Sequence, residues 1–180
     1  MKWYEYPLQS RTKEFLKALD PSLEYVEVLK GSLRYDCVFK VRSGDTFYIL
    51  KAATEASSHY PFLTFERDAL KDCADVSGIT HLVQDYGVVG DHSAFLKEYA
   101  DGFHFSRSRI PSSSRAGLNL QLTAIVKTLH ERGYFGLDLQ CANLIVSPDF
   151  ERITIIDPFY DQKCLSSNSD LAEVYLLFKN

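Results

Sequence analysis

The sequence predicts an α+β protein, and three observations carry that expectation. Three strand-like runs, Leu23 to Leu29, Tyr35 to Val41 and Thr46 to Ala52, follow one another closely enough to form a meander. Leu118, Leu122, Ile125, Val126 and Leu129 form an apolar stripe of helical period, the mark of a buried helix. Two short β-rich runs, Leu144 to Val146 and Ile153 to Ile156, then bracket the polar turn Ser147-Pro-Asp149.

Taken in chain order, Ser10 to Leu19 carries helix-forming character and Asp20-Pro21 supplies its stop, so an N-terminal helix braces the meander. The last two meander strands are joined by the turn signal Ser43-Gly-Asp45. Lys51 sits on the third strand between apolar residues, where an ammonium is costly unless it is paired. In Tyr60 to Leu70, the residues Phe62, Phe65, Ala69 and Leu70 follow helical spacing and put Glu66 beside an apolar face. His81 has no second His at metal spacing and reads as a turn or core histidine. The run Ser112-Ser-Ser114 is too short for a domain linker, and no internal repeat interrupts the chain.

With 180 residues and 46% hydrophobic content, the chain can bury one sizeable core or two small lobes. A formal charge of −4 offers no broad attraction to nucleic acid or to an anionic membrane, so neither is expected as a partner. The opening Met1 to Pro7 lacks the apolar core of a secretory signal and no later run could span a bilayer, which predicts a soluble, cytoplasmic protein. Cys37, Cys73, Cys141 and Cys164 are far apart and form no C-x-x-C pair, so reduced thiols are expected, with Cys141 read as a small buried hydrophobe.

The densest chemistry lies in Gly136-Leu-Asp138-Leu-Gln-Cys-Ala-Asn143-Leu-Ile-Val146, followed by Ile-Ile-Asp157. Two acids and an amide stand there at spacings typical of phosphoryl transfer, Asp138 and Asn143 being five positions apart. An Asp at a turn or an Asn before an apolar strand can also do no more than satisfy local backbone groups. The two β-rich runs favour the chemical reading, because a hairpin there presents Asn143 and Asp157 at one edge.

Leu129-His-Glu-Arg-Gly-Tyr-Phe135 reads like the end of a long helix leading into that loop, and Phe47-Tyr-Ile-Leu-Lys51-Ala matches the pattern V-A-I-K. From Val26 to Leu177 the order of elements resembles the protein-kinase-like superfamily. The resemblance implies a bilobal fold, with a five-stranded antiparallel N-lobe and hinge over residues 1–102 and a truncated helical C-lobe over 103–180. It implies ATP and Mg2+ between the lobes. Lys51 would contact phosphate and pair with Glu66, Asp138 would orient the substrate hydroxyl, and Asn143 and Asp157 would hold metal. His81 to Val89 and Ala94 to Gly102 look like the last two N-lobe strands and the hinge. Glu98 to Ala100 is then the implied adenine edge, and Asp101 a ribose contact.

The departures from the family pattern are specific. In the nucleotide-covering loop, Gly31 and Val38 fit the first and last positions of G-x-G-x-x-G-x-V, but Leu33 and Asp36 replace the other glycines, making backbone approach to phosphate harder. Gly136-Leu137 stands for His-Arg, Gln140 stands where many protein kinases carry Lys, and Pro158-Phe159 follows Asp157 in place of Phe-Gly. Asp170 comes only thirteen positions after Asp157, and Asp170-Leu-Ala172 is similar to the D-L-A element of aminoglycoside and choline phosphotransferases. The short C-terminal part is similar to effector-type minimal kinases, which implies a protein partner completing the C-lobe surface. Three readings follow: a minimal atypical kinase acting on a hydroxyl of a protein or small molecule, a pseudokinase scaffold without catalysis, and a small-molecule phosphotransferase.

Overall fold

The computed structural model describes residues 6–159 and 167–179. Cys164 lies outside them. The chain packs as two compact units, Met1–Asp68 with His81–Tyr99, and Ala69–Thr80 with Ala100–Asn180. Residues 69–80, the end of one helix and the loop after it, thus belong to the second unit although strands of the first stand on either side in sequence.

The first unit opens with helix α1 (Tyr6–Leu19), which begins earlier than the expected start at Ser10. Its end is fixed by Asp20, whose carboxylate accepts the Ser22 N–H at 2.8 Å. Strands β1 (Glu24–Ser32), β2 (Asp36–Ser43), β3 (Thr46–Thr54), β4 (Leu82–Val89) and β5 (His92–Glu98) build an antiparallel sheet in the order β1-β2-β3-β5-β4. The fold class is the α+β arrangement with a five-stranded antiparallel sheet that the sequence implies. Helix α2 (Tyr60–Asp72) starts in this unit and supplies Glu66.

Strand alternation separates two faces of the sheet. Cys37, Phe39, Val41, Leu50, Ala52, Ala94 and Leu96 face one side and bury themselves with Leu16 of α1 and Leu23. Each such side chain, once fully buried, contributes about 1.5–3 kcal/mol if it is the size of Leu or Phe. The other face carries Val38, Lys51 and Phe95, which are direct cross-strand partners, followed by Lys97 two residues along β5. The N-terminal helix therefore braces the sheet from the side opposite Lys51.

The second unit is built on helix α3 (Ser112–Glu131), whose predicted stripe Leu118, Leu122, Ile125, Val126 and Leu129 is buried as expected. A small sheet of β6 (Phe103–His104), β7 (Leu144–Val146) and β8 (Ile153–Ile155) lies in the order β6-β7-β8. The two-residue β6 has no sequence signal and forms because Gly102, at φ +148°, lets the chain run close to β7. A Cβ there would meet the Val146 carbonyl oxygen at 2.3 Å. Helix α4 (Ser167–Phe178) packs with α3 and carries Asp170 in its first turn. No helix among the described residues is long and apolar enough to cross a membrane.

Candidate active site

Lys51 is held in the first unit by a buried ion pair. Its Nζ lies 2.7 Å from Glu66 Oε2, and both side chains are largely removed from water. Glu66 lies on the buried side of α2 with Leu63, Ala69 and Leu70, whereas Phe62, expected in that stripe, is exposed, and Glu66 makes the ion pair with Lys51 that the kinase resemblance implies. A third member has no counterpart in the sequence reading. Lys97 Nζ donates to the other carboxylate oxygen, Glu66 Oε1, at 2.8 Å, and Lys97 is 1% exposed. Its signal is strand parity, since Lys97 shares the face of Phe95, and that signal becomes legible only once β5 is paired with β3.

Gly31 and Val38 flank a hairpin in place of an open glycine-rich loop. Gly31, at φ +70°, pairs with Cys37 at the end of β1, and a Cβ on it would meet the Asp36 carbonyl oxygen at 2.2 Å. Only glycine fits there. Val38 lies directly across from Lys51. Asp36 is occupied by Ser57, whose hydroxyl donates at 3.3 Å, and by His59 at 3.6 Å. Thr54 N–H donates to the Tyr35 carbonyl at 2.7 Å and ties the hairpin to the end of β3.

At the end of β5, the Glu98 carboxylate accepts from His81 N–H at 3.0 Å and lies 3.1 Å from His81 Nδ1. The Glu98 N–H donates to the His81 carbonyl at 3.0 Å, so this amide and side chain are spent within the unit. Ala100 is half-buried and Asp101 exposed, both at the start of the second unit's long segment.

The second unit brings Asp138, Asn143 and Asp157 together through the backbone. Asp138 N–H donates to the carbonyl of Pro158, the residue after Asp157, at 3.2 Å. Ile156 N–H, one residue before Asp157, donates to the Asn143 carbonyl at 2.8 Å, so the β7–β8 hairpin holds Asn143 and Asp157 at one end. Asn143 Nδ2 donates to the Asp138 carbonyl at 3.2 Å, which leaves Oδ1 as its acceptor. Gln140 Nε2 donates to both Asp138 carboxylate oxygens, at 2.7 and 2.9 Å.

Behind this loop, the buried Asp170 accepts from Gly136 N–H at 3.0 Å and pairs with His130 Nε2 at 2.8 Å. Leu137 is buried and its backbone bridges to that of Phe159. A cavity of about 630 Å³ opens beside Asp138, lined in part by Gln140, Asp170, Glu173 and Leu176. Burial, with Asp170 and Asp138 nearby, pushes the Glu173 carboxyl above its ordinary value. Cys141 corrects an expectation: it is exposed, because the short turn Cys141–Asn143 carries it on the outside of the loop.

Magnesium takes oxygen ligands and completes its shell with water and phosphate oxygens after one or two protein contacts. Asn143 Oδ1 and the Asp157 carboxylate supply donors of that kind. Among the described residues, no three or more His, Cys, Asp or Glu side chains gather into a protein-only metal cage.

No protein-family model matches the chain, and no curated protein matches it. Among solved structures it is similar to the Cydia pomonella granulovirus kinase PK-1, with a TM-score of 0.61 and 18% identity. The similarity covers 82% of this chain and 55% of that one, so the chain spans little more than half of that kinase's length. The likeness shows the fold: this chain has a protein-kinase-like fold.

Proposed function

We propose that the chain is a minimal, atypical kinase that uses ATP and Mg2+ to phosphorylate a hydroxyl on a protein or small molecule. The observation that carries this reading is the buried Lys51–Glu66 pair at 2.7 Å, since a lysine held by a carboxylate at that depth is suited to meet a phosphate. Asp138, Asn143 and Asp157, drawn into one loop cluster of the second unit, are the residue types that phosphoryl transfer needs.

In this reading Lys51 binds phosphate oxygens and Glu66 fixes the direction of its ammonium. Asp138 accepts the proton of the substrate hydroxyl as its oxygen bonds to the γ-phosphorus and the bond to the β-phosphate oxygen breaks, releasing ADP. Asn143 and Asp157 would hold Mg2+, which supplies charge neutralisation at the phosphates. Catalysis is then positioning plus electrostatics. Gln140 donates to both Asp138 oxygens, which lowers their basicity, and the proton goes to a lone pair that this clasp leaves open.

That same Gln140 clasp favours a second reading, a scaffold that keeps the fold without transfer. Thermal-shift titration with ATP, with and without Mg2+, combined with an assay of phosphoryl transfer, separates the two. A metal-dependent rise that is lost in Lys51→Ala and Asp157→Ala is the expected result. Asp138→Ala should keep the rise while transfer falls by about 10²–10⁴-fold. Equal nucleotide affinity in the wild type and Asp157→Ala would remove the metal role, and no shift at millimolar ATP would leave the scaffold.

A further inference from the structure

Lys97 is the most deeply buried cation among the described residues, and nothing in the mechanism above uses it. The register puts Lys51 opposite Phe95 and Lys97 opposite Ile49, so the two lysines are diagonal neighbours on one face of the sheet. Helix α2 sets Glu66 against both. One carboxylate oxygen meets Lys51 at 2.7 Å and the other meets Lys97 at 2.8 Å. A carboxylate held at one oxygen can rotate about its terminal bond, which is broad and weakly restrained. Held at both oxygens by groups on adjacent strands, it cannot turn without breaking a charged hydrogen bond in a dry setting.

We infer that Lys97 is a positioning residue for the proposed phosphate-binding lysine, acting through Glu66. The strand is buried from His92 to Lys97, a setting that an apolar side chain of similar length would also fill. Burying an ammonium there costs several kcal/mol before pairing. What the cation supplies is a fixed Glu66. When Lys51 engages an anion, Lys97 keeps the carboxylate compensated and oriented, so the Lys51 ammonium keeps its direction during binding.

This inference rests on the kinase reading, and its test separates the two. MgATP affinity and the melting temperature of the ligand-free protein are measured for the wild type, Lys97→Met, Lys97→Gln and Lys97→Arg. The expected result is about tenfold weaker MgATP binding in the Met and Gln variants. Lys97→Arg, which can still span to Glu66, restores most of it, and these losses do not track the ligand-free melting temperature. If Lys97→Met does not fold, Lys97→Gln, which retains a donor, carries the comparison. Wild-type affinity in Lys97→Met or Lys97→Gln overturns the positioning role while the kinase reading stands. Failure of the wild type itself to bind MgATP overturns both.

Discussion

Glu66 makes the first unit's stability depend on which member of its cluster is removed. Glu66→Ala strips a carboxylate from two buried ammoniums, and breaking such a buried pair costs about 3–5 kcal/mol. Lys51→Met leaves Glu66 paired with Lys97, so its cost should be less than half of that. Urea unfolding of the two variants checks the order; equal losses would show that Lys97 does not share the charge. Cysteines give a second residue-scale outcome. Burial pushes the Cys37 thiol up to about 12 and the Cys73 thiol up to about 11, so neither forms appreciable thiolate at about pH 8. Cys141 is exposed. Among these three, native-state alkylation followed by peptide mapping should mark Cys141 alone, and early labelling of Cys37 would contradict its place in the core.

Among elements, the first turn of α4 fixes the loop that carries Asp138. Asp170 accepts from the Gly136 amide and pairs with His130 while almost fully buried, so Asp170→Ala leaves both without their acceptor. The expected loss is about 1–3 kcal/mol, with faster hydrogen exchange at the Gly136 amide. Asp170→Asn keeps an acceptor oxygen and should lose less; unchanged exchange in Asp170→Ala would show that the loop is held by other contacts. Sequence spacing makes Asp170 visible as part of a D-L-A element but not its bond to Gly136, because that contact joins residues 34 positions apart. Lys51, Glu66, Asp138, Asn143 and Asp157 are legible because each sits within a local motif or stripe. Lys97 is not, since its role depends on the pairing of β5 with β3, and β6 is not, since two residues carry no periodicity. Cys141 escapes the sequence reading because the general tendency of cysteine to be buried says nothing of a turn that points its side chain outward.

At the scale of the whole molecule, the residues assigned to one reaction are divided between the two compact units. Lys51 and Glu66 belong to the first, and Asp138, Asn143 and Asp157 to the second. A ligand that engages groups from both units must lower the free energy of both, whereas a ligand held by one unit stabilises that unit alone. MgATP at about 100 times its Kd adds about 2.7 kcal/mol to any opening that releases it. Hydrogen exchange should therefore slow by up to about a hundredfold both at β3 amides near Lys51 and at the β7–β8 amides between Asn143 and Asp157. Slowing confined to β3 would mean that the second unit's acids take no part in binding, and would turn the reading from kinase to nucleotide-binding scaffold. Slowing at both, abolished together by Asp157→Ala, would tie the loop cluster to the lysine through the ligand, since no change in the first unit's own contacts could produce it.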